Sequence, residues 1–213
     1  IGLTWSAANN GITNLQVLSL ATSYNGKIYA GTNGGGTRGM YYPQGSYGEK
    51  NWGKHGPLTN PYAFGYFKHM RHEGDEVRFP QTFVVYEGGQ FPKRFDHAVI
   101  AGNALHNRVW ASELLPDTST YRTIDMPMLT VTADHWFSPV DVEVGPDGGL
   151  YIADWYDGGV GGHAYNNPNQ GRIFRLTPKG GKPTRVEKPG PYTSIDDAIV
   201  GLQSPNLATQ YLA

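Results

Sequence analysis

The stretch Asp154-Trp155-Tyr156-Asp157 places two carboxylates three residues apart, beside two aromatic rings. Carboxylate oxygens are ligands that calcium prefers, and they also accept hydrogen bonds from sugar hydroxyls. Aromatic side chains commonly line the sites that bind such ligands. We therefore expect Asp154 and Asp157 as metal ligands and Trp155 and Tyr156 as substrate-binding residues. A structural alternative stays open, in which the aspartates cap neighbouring backbone amides at the end of a strand.

Two histidines are candidate general bases. His72 lies in the charged run Arg71–Glu76, where a carboxylate would orient its imidazole ring. His135 lies between Asp134 and Trp136, just before a predicted strand. The structural alternatives are a solvated charged loop around His72 and a packed or turn histidine at position 135.

Arginines at the ends of predicted strands are candidate ligands for anions. Arg108 and Arg172 have this position. The alternative for each is a surface ion pair, which stabilises a fold only slightly.

A predicted hairpin carries the acidic and aromatic stretch. Val140–Val144 alternates apolar and acidic residues, which predicts a strand with one buried face. Gly145–Gly149 has the composition of a turn, and Leu150–Ala153 predicts the returning strand. In a Pro-Asp-Gly turn, Asp147 is expected to bond the local backbone.

Similar patterns recur at irregular spacing along the chain. Asn25-Gly26 precedes the strand-like Lys27–Thr32, and Arg108–Ser112 and Arg172–Leu176 resemble the same returning strand. Recurrence of this kind is typical of a β-propeller with variable loops, although any antiparallel β protein repeats its hairpins. At roughly 40 residues per blade, about four or five blades fit before Ser194. The sequence predicts an all-β, propeller-like domain over residues 1–193, small or incomplete.

The pattern becomes helical at the end of the chain. Ser194 is a predicted N-cap, and Asp196 and Asp197 in the first turn complement the helix dipole. Ser204-Pro205 predicts the start of a second helix that runs to Ala213. We expect residues 194–213 to begin a truncated α-solenoid.

Composition excludes several classes of function. The chain of 213 residues has 29 Gly, 15 Pro and no Cys, which favours turns and short strands and rules out disulfides, thiolate catalysis and c-type haem attachment. A net charge of −1 gives no support to nucleic-acid binding. The sequence also has no apolar run long enough to span a membrane.

A resemblance covers most of the chain, from about Asn51 to Ala213. This part resembles a family of large secreted proteins of planctomycete-type bacteria, named membrane-bound dehydrogenases from sequence and distantly similar to soluble glucose/sorbosone quinoprotein dehydrogenases. The matching segments are Tyr86–Pro92, Asp134–Asp141, Gly145–Asp157 and Gly171–Leu176. The tail, through Leu202–Asn206 and Tyr211–Ala213, is similar to the start of the HEAT-like repeats that follow the propeller there. Residues 1–40 resemble instead a sialidase-type repeat blade, through Trp5 and Tyr29–Thr32, and this resemblance implies a separate blade type there.

The resemblance implies a β-propeller, a periplasmic or extracellular location, and oxidation of a sugar or alcohol with pyrroloquinoline quinone and calcium. In that chemistry His72 or His135 would take the hydroxyl proton, and Arg108 and Arg172 would bind the carboxylates of the cofactor. The haem domain that the family usually carries has no counterpart in this chain.

Three functions stay open on the sequence. The first is a quinoprotein-like oxidoreductase, and the second is a non-catalytic propeller that binds carbohydrate or protein. The third is a structural subunit of an extracellular assembly, in which exposed strand edges pair with another copy.

Overall fold

A computed structural model describes residues 17–23, 27–32, 39–44, 69–74, 82–127, 133–156, 169–179 and 192–213. These ranges form strands in three sheets, followed by two short helices. The strands are β1 (Val17–Thr22), β2 (Ile28–Thr32), β3 (Met40–Tyr41), β4 (Arg71–Glu73), β5 (Phe83–Val85), β6 (Val99–Asn103), β7 (Arg108–Asp117), β8 (Thr120–Asp125), β9 (Pro139–Val144), β10 (Leu150–Asp154) and β11 (Arg172–Leu176). The helices are α1 (Ile195–Leu202) and α2 (Leu207–Leu212).

The central sheet has the strand order β4-β8-β7-β6-β5. Strands β5 to β8 form an antiparallel meander, and β4 joins its edge parallel to β8. Two three-stranded antiparallel sheets, β1-β2-β3 and β11-β10-β9, accompany it. The predicted all-β class with helices at the end is confirmed for the described ranges. A four-stranded meander is the unit of a propeller blade, but the number of blades and the closure of a ring stay predictions.

The core lies on both faces of the central sheet. Every residue of β6 is buried, and because side chains alternate along a strand, its residues divide between two apolar clusters. Val99 and Ala101 pack in one cluster with Tyr29 of β2. Ile100 packs in the other with Val142 of β9 and Ile152 of β10. The central sheet is therefore covered by one small sheet on each face, at least where these residues lie.

The hairpin that carries the predicted site is confirmed. Strands β9 and β10 pair antiparallel, and the turn between them is closed by a hydrogen bond from the Gly145 N–H to the Gly149 carbonyl at 2.8 Å. Gly148 has φ +76°, a conformation that favours glycine. Arg172–Leu176, which resembles the returning strand of a separate hairpin, is instead the third strand of this same sheet.

Strands β1 and β2 also pair antiparallel, as the sequence predicts. The turn expected at Asn25-Gly26 lies outside the described residues. Leu129–Thr132, whose composition predicts a further short strand, lies outside them as well.

One strand is missing from the sequence prediction. Pro116–Thr120 reads as a turn, but β7 continues to Asp117 and reverses through Thr118 and Ser119 into β8. This two-residue turn has no glycine or asparagine, the residues that normally indicate such a hairpin. The prediction therefore stops β7 too early and omits β8.

The two helices are confirmed, with one change of cap. The Ser194 hydroxyl accepts a hydrogen bond from the Asp197 N–H at 3.1 Å, as expected. The second helix is capped by Asn206 rather than Ser204, because the Asn206 side chain accepts from the Ala208 N–H at 2.8 Å. The backbone N–H of Leu207 donates to the Glu87 carbonyl at 3.0 Å, which ties α2 to the loop after β5. Whether this pair begins a HEAT-like repeat stays a prediction.

Neither described helix has the length and apolar character that crossing a membrane requires.

Candidate functional site

Three strand ends meet where the acidic and aromatic stretch lies. Asp154, at the end of β10, is paired with Pro139 at the start of β9 and with Arg172 at the start of β11. The turn before β9 is fixed by Asn107, whose side-chain amide donates to the carbonyls of His135 and Phe137 at 3.1 and 2.6 Å. We call the resulting group the strand-end cluster; its members are Asp134, Trp136, Asp154, Tyr156 and Arg172.

Asp154 lies at the base of the cluster, and its side chain is fully buried. Its Oδ1 accepts hydrogen bonds from the backbone N–H groups of Ser138 and Tyr156, at 2.7 and 2.9 Å. Its Oδ2 accepts from Nε of Arg172 at 2.7 Å and lies 2.5 Å from Nη2 of the same residue. Both oxygens thus serve the chain's own donors, which is the structural role that the sequence left open.

This geometry does not fit Asp154 as a calcium ligand, because a cation would have to displace the N–H donors. Asp157, its expected partner, lies outside the described residues. Among the residues that the structure describes, no three His, Asp or Glu side chains form a group suited to a metal ion. Calcium binding stays a prediction.

Arg172 connects the base of the cluster to its surface. Besides Asp154, its Nη2 lies 2.9 Å from Oδ2 of Asp134, and the guanidinium stacks 4.0 Å from the centroid of the Tyr156 ring. Burial by itself lowers the pKa of Arg172, but the hydrogen bonds to Asp154 and Asp134 outweigh it, so the pKa lies above its ordinary value. The side chain is therefore a fixed cation between two carboxylates.

Asp134 forms the acidic rim of the cluster and remains partly exposed, at 33% of its side-chain surface. Its Oδ1 accepts a hydrogen bond from the Trp136 backbone N–H at 3.0 Å. That bond and the Arg172 guanidinium hold the pKa of Asp134 below its usual value. The carboxylate is ionised near neutral pH and is held by the backbone of the tryptophan.

Aromatic rings cover the outer side of the cluster. The Trp136 and Tyr156 rings lie 5.4 Å apart between centroids, tilted by 40°. Trp136 is 42% exposed and the neighbouring Trp155 is 48% exposed. Tyr156 has φ +55°, a strained conformation for a bulky residue, which its N–H bond to Asp154 and the stacked Arg172 hold in place. The rings are thus preorganised at the surface.

The two arginines predicted to bind a cofactor have different surroundings. Arg172 faces two carboxylates, so the cluster carries a net negative charge and does not fit the carboxylates of pyrroloquinoline quinone. Nη2 of Arg108 lies 3.5 Å from Nδ1 of His106, in the turn that also holds Asn107. Binding of the quinone stays a prediction.

The structure does not bring the two predicted catalytic histidines together. His135 is exposed in the turn before β9, and Asn107 binds its carbonyl. His72 lies in β4, paired with Thr123, whose other neighbour across the sheet is Leu114 of β7. Leu114 is seven residues from Asn107, which is roughly 20 Å along a strand.

His72 does have the carboxylate neighbour that the sequence predicts, but it is a different one. Its Nε2 lies 3.4 Å from Oδ2 of Asp125, and its Nδ1 lies 3.2 Å from the Thr123 hydroxyl. Glu73 instead pairs with Arg122 at 2.6 Å. The side chain of His72 is only 5% exposed, so it is part of the packing between β4 and β8.

A cleft of about 310 Å³ lies elsewhere, between α2 and the loops around Tyr86 and His97. Among the described residues, none of those predicted to form the site lines it. At its edge, Nδ1 of His97 lies 3.3 Å from Oε1 of Glu87.

The sequence pattern presents Asp134 and Trp136 only as neighbours of His135 and does not predict their role in the cluster. The available signal was the spacing Asp-x-Trp, in which an aspartate accepts from the backbone two residues later. The contact with Arg172 had no such signal, because it depends on the pairing of β11 with β10.

Comparisons with known proteins cover parts of the chain. Residues 80–180 match the model of a family described as a domain of unknown function (DUF7133). No curated protein matches the chain. A crystal structure from Thermus thermophilus, described as a candidate oxidoreductase (glucose dehydrogenase), is similar with 17% identity and a TM-score of 0.44, over 74% of this chain and 44% of that one. The chain thus spans less than half the length of that structure, and a likeness of this size defines neither the fold nor the chemistry of this chain.

Proposed function

We propose that the protein binds carbohydrate at the strand-end cluster. The observation that carries the proposal is the exposed Trp136 ring, which lies beside the Tyr156 ring, while the Trp136 backbone N–H donates to the ionised, partly exposed carboxylate of Asp134. Binding sites typically combine apolar and aromatic surface with a few fixed polar groups.

The chemistry of a sugar matches both parts of this surface. The C–H face of a pyranose ring packs on an aromatic ring, and its hydroxyl groups donate hydrogen bonds to a carboxylate. Large exposed aromatic residues grouped with a polar rim commonly mark interaction sites. Trp155, next along the chain from Asp154, adds a further exposed ring close to the same strand end.

The rigidity of the cluster supports binding rather than turnover. Asp154 and Arg172 are engaged with each other and with backbone donors, so neither is placed to transfer a proton. They instead hold Tyr156 and Asp134 in position, which lowers the entropy lost when a ligand binds.

A glycan array followed by calorimetric titration tests the proposal. We expect wild-type protein to bind at least one class of oligosaccharide and Trp136→Ala to weaken that binding roughly tenfold or more, since aromatic contacts often dominate binding energy. Tyr211→Ala is the matched control, because Tyr211 is an exposed aromatic on α2, away from the cluster. Absence of binding to every glycan, or equal binding by Trp136→Ala, would contradict the proposal.

Oxidation of a sugar or alcohol stays a further prediction for the same ligands. Dye-linked oxidation after addition of pyrroloquinoline quinone and calcium checks it. Binding without oxidation selects a carbohydrate-binding protein, whereas oxidation that is lost in Trp136→Ala places the chemistry at this surface.

A further inference from the structure

We propose that the cleft between α2 and the loops around Tyr86 and His97 is a second binding site, and that its ligand is a small primary amine with an apolar body. The inference goes beyond carbohydrate binding, because none of the five described residues of the strand-end cluster lines this cleft. The two sites are therefore testable separately.

The size and setting of the cleft are the first observation. Its volume is about 310 Å³, at the lower end of the range typical of pockets for small molecules. Pro205, Leu207 and Gln210 line it from α2 and the residues just before this helix. The other lining residues belong to the loop after β5 and to the turn before β6. Ligand sites commonly lie at such junctions between structural units.

The side of the cleft that belongs to the sheet is held rigidly. Tyr86 is fully buried, and its hydroxyl donates to the Gly148 carbonyl at 2.7 Å. The same hydroxyl accepts from the backbone N–H groups of Gln90 and Phe91 at 3.1 and 3.0 Å. The backbone N–H of His97 donates to the Tyr86 carbonyl at 2.9 Å, which joins the two segments that line the cleft. A preformed site of this kind binds with a smaller loss of entropy.

The helical side of the cleft is tied to the same part of the fold. The Leu207 N–H donates to the Glu87 carbonyl, and the side-chain amide of Asn206 donates to the Pro146 carbonyl, both at 3.0 Å. A ligand that contacts both sides of the cleft binds only while α2 is docked. By mass action, such a ligand stabilises the docked helix.

The charges that line the cleft favour a cation. Glu87 and Asp96 contribute two carboxylates, and among the described lining residues neither Lys nor Arg is present. Glu87 is 7% exposed and lies 3.3 Å from Nδ1 of His97, so its charge adds to the potential while its carboxylate is already engaged. The guanidinium of the nearby Arg94 lies over the Phe95 ring, 4.9 Å from its centroid.

Asp96 is the residue to which we assign contact with the ligand amine, because its side chain both lines the cleft and is exposed. Burial raises the pKa of the Tyr86 hydroxyl above its ordinary value, and the negative charge of Asp96 adds to this rise against the bonds from Phe91 and Gln90. Asp96 thus acts electrostatically on the buried lining of the cleft. An ammonium group there would be attracted by the same charge.

The remaining lining residues define the body of the ligand. Leu207 and Pro205 present apolar side chains to the cleft, and Gln210 presents an amide. A compact hydrocarbon ring or short chain packs against the first two. The combination selects an apolar skeleton with one ammonium group rather than an anion or a polyhydroxylated sugar.

The experiment compares two amines with alcohols of the same carbon skeleton: benzylamine with benzyl alcohol, and cyclohexylamine with cyclohexanol. Nuclear magnetic resonance titration of the ¹⁵N-labelled protein at low salt measures each dissociation constant and locates the site. We expect each amine to bind roughly tenfold more tightly than its alcohol, with the largest shifts at Glu87, His97 and Gln210. At about 1 M salt this ratio should fall, because salt screens exposed charges.

Asp96→Asn keeps the shape of the side chain and removes its charge. We expect it to weaken binding of both amines roughly three- to tenfold and to leave the alcohols unchanged. Asp196→Asn is the matched control, since Asp196 is an exposed aspartate on α1 that does not line the cleft. Trp136→Ala should leave amine binding unchanged, because Trp136 belongs to the strand-end cluster.

Hydrogen exchange of the Leu207 amide tests the inference without any variant. This amide donates to Glu87 across the junction, so its exchange reports undocking of α2. With benzylamine at ten times its dissociation constant, exchange of this amide should slow by roughly tenfold.

The inference is overturned if the alcohols bind as tightly as the amines, or if neither amine binds. It is also overturned if the shifts centre on the strand-end cluster, if Asp96→Asn leaves the amine-to-alcohol ratio unchanged, or if Asp196→Asn lowers that ratio equally. Each of these results leaves the carbohydrate proposal intact, since that proposal is tested with glycans and Trp136→Ala.

Discussion

Two buried aspartates of the β9-β10-β11 sheet have the same environment at opposite ends of β10. Asp147 accepts from the Gly149 N–H at 3.1 Å and from Nε of Arg175 at 2.7 Å. Asp154 accepts from two backbone N–H groups and from Arg172. Each carboxylate thus fixes a turn or strand end and is neutralised by an arginine of β11. At the residue scale, these pairs hold the sheet that carries the candidate site.

Asp147 should make stability depend on pH. Burial raises the pKa of its carboxyl, but the bonds from Gly149 and Arg175 prevail, and the pKa lies below its ordinary value. A group whose pKa is lower in the folded state stabilises the fold above its unfolded pKa, about 4, and loses that effect as pH falls through the folded value. We expect Asp147→Asn to lower the free energy of unfolding by about 2 kcal/mol at pH 7, as hydrogen bonds to a charged group typically contribute, and by progressively less below pH 4.

Urea unfolding of both proteins between pH 7 and pH 3 measures this difference. Asp117→Asn is the control, because its partner Arg71 is largely exposed and such pairs contribute little. A difference between wild type and Asp147→Asn that stays constant across this pH range would contradict the assignment.

At the scale of elements, the β7–β8 turn is strained. Thr118 has φ +57°, which is unfavourable for a β-branched residue, and its exposed hydroxyl bond to the Asp117 carbonyl offsets this only in part. Thr118→Gly should therefore raise the free energy of unfolding by about 0.5 to 1 kcal/mol, seen as a higher melting temperature. Ser119→Gly, at the neighbouring position without a positive φ, should lower it slightly. Equal effects of the two substitutions would rule out strain at Thr118.

A comparison of two turns shows which parts of the fold the sequence predicts and which it does not. Gly145–Gly149 contains the residues that its turn requires, so the β9–β10 hairpin was predictable, as was the Ser194 cap. Thr118-Ser119, by contrast, contains neither glycine nor asparagine, so the sequence does not indicate the β7–β8 turn and does not predict β8. For the candidate site, the contact between Asp154 and Tyr156 was predictable because the two residues lie close together in the sequence. The role of Asp134 was not, since it depends on a contact between separate strands that local patterns do not encode.

At the scale of the whole molecule, the described sheets pack on both faces of the central one, and among the described strands the β9-β10-β11 sheet ends in β11. In the described sheet β11 is an edge, with Ile173 77% exposed. Edge strands of this kind can pair with another chain. Antiparallel pairing of two β11 strands centred on Phe174 would place Ile173 opposite Arg175 and Arg172 opposite Leu176, so that no like charges face each other.

We therefore predict that the protein self-associates through β11. Sedimentation velocity over a range of concentrations should show a reversible dimer in wild-type protein. Ile173→Lys should shift it to monomer, because a lysine on an edge strand opposes pairing, and it should do so without loss of the folded signal in circular dichroism. Val200→Lys is the control, since Val200 is a similarly exposed apolar residue on α1. A wild-type protein that stays monomeric at high concentration would exclude this pairing, and dimer loss in Val200→Lys alone would move the interface to the helices.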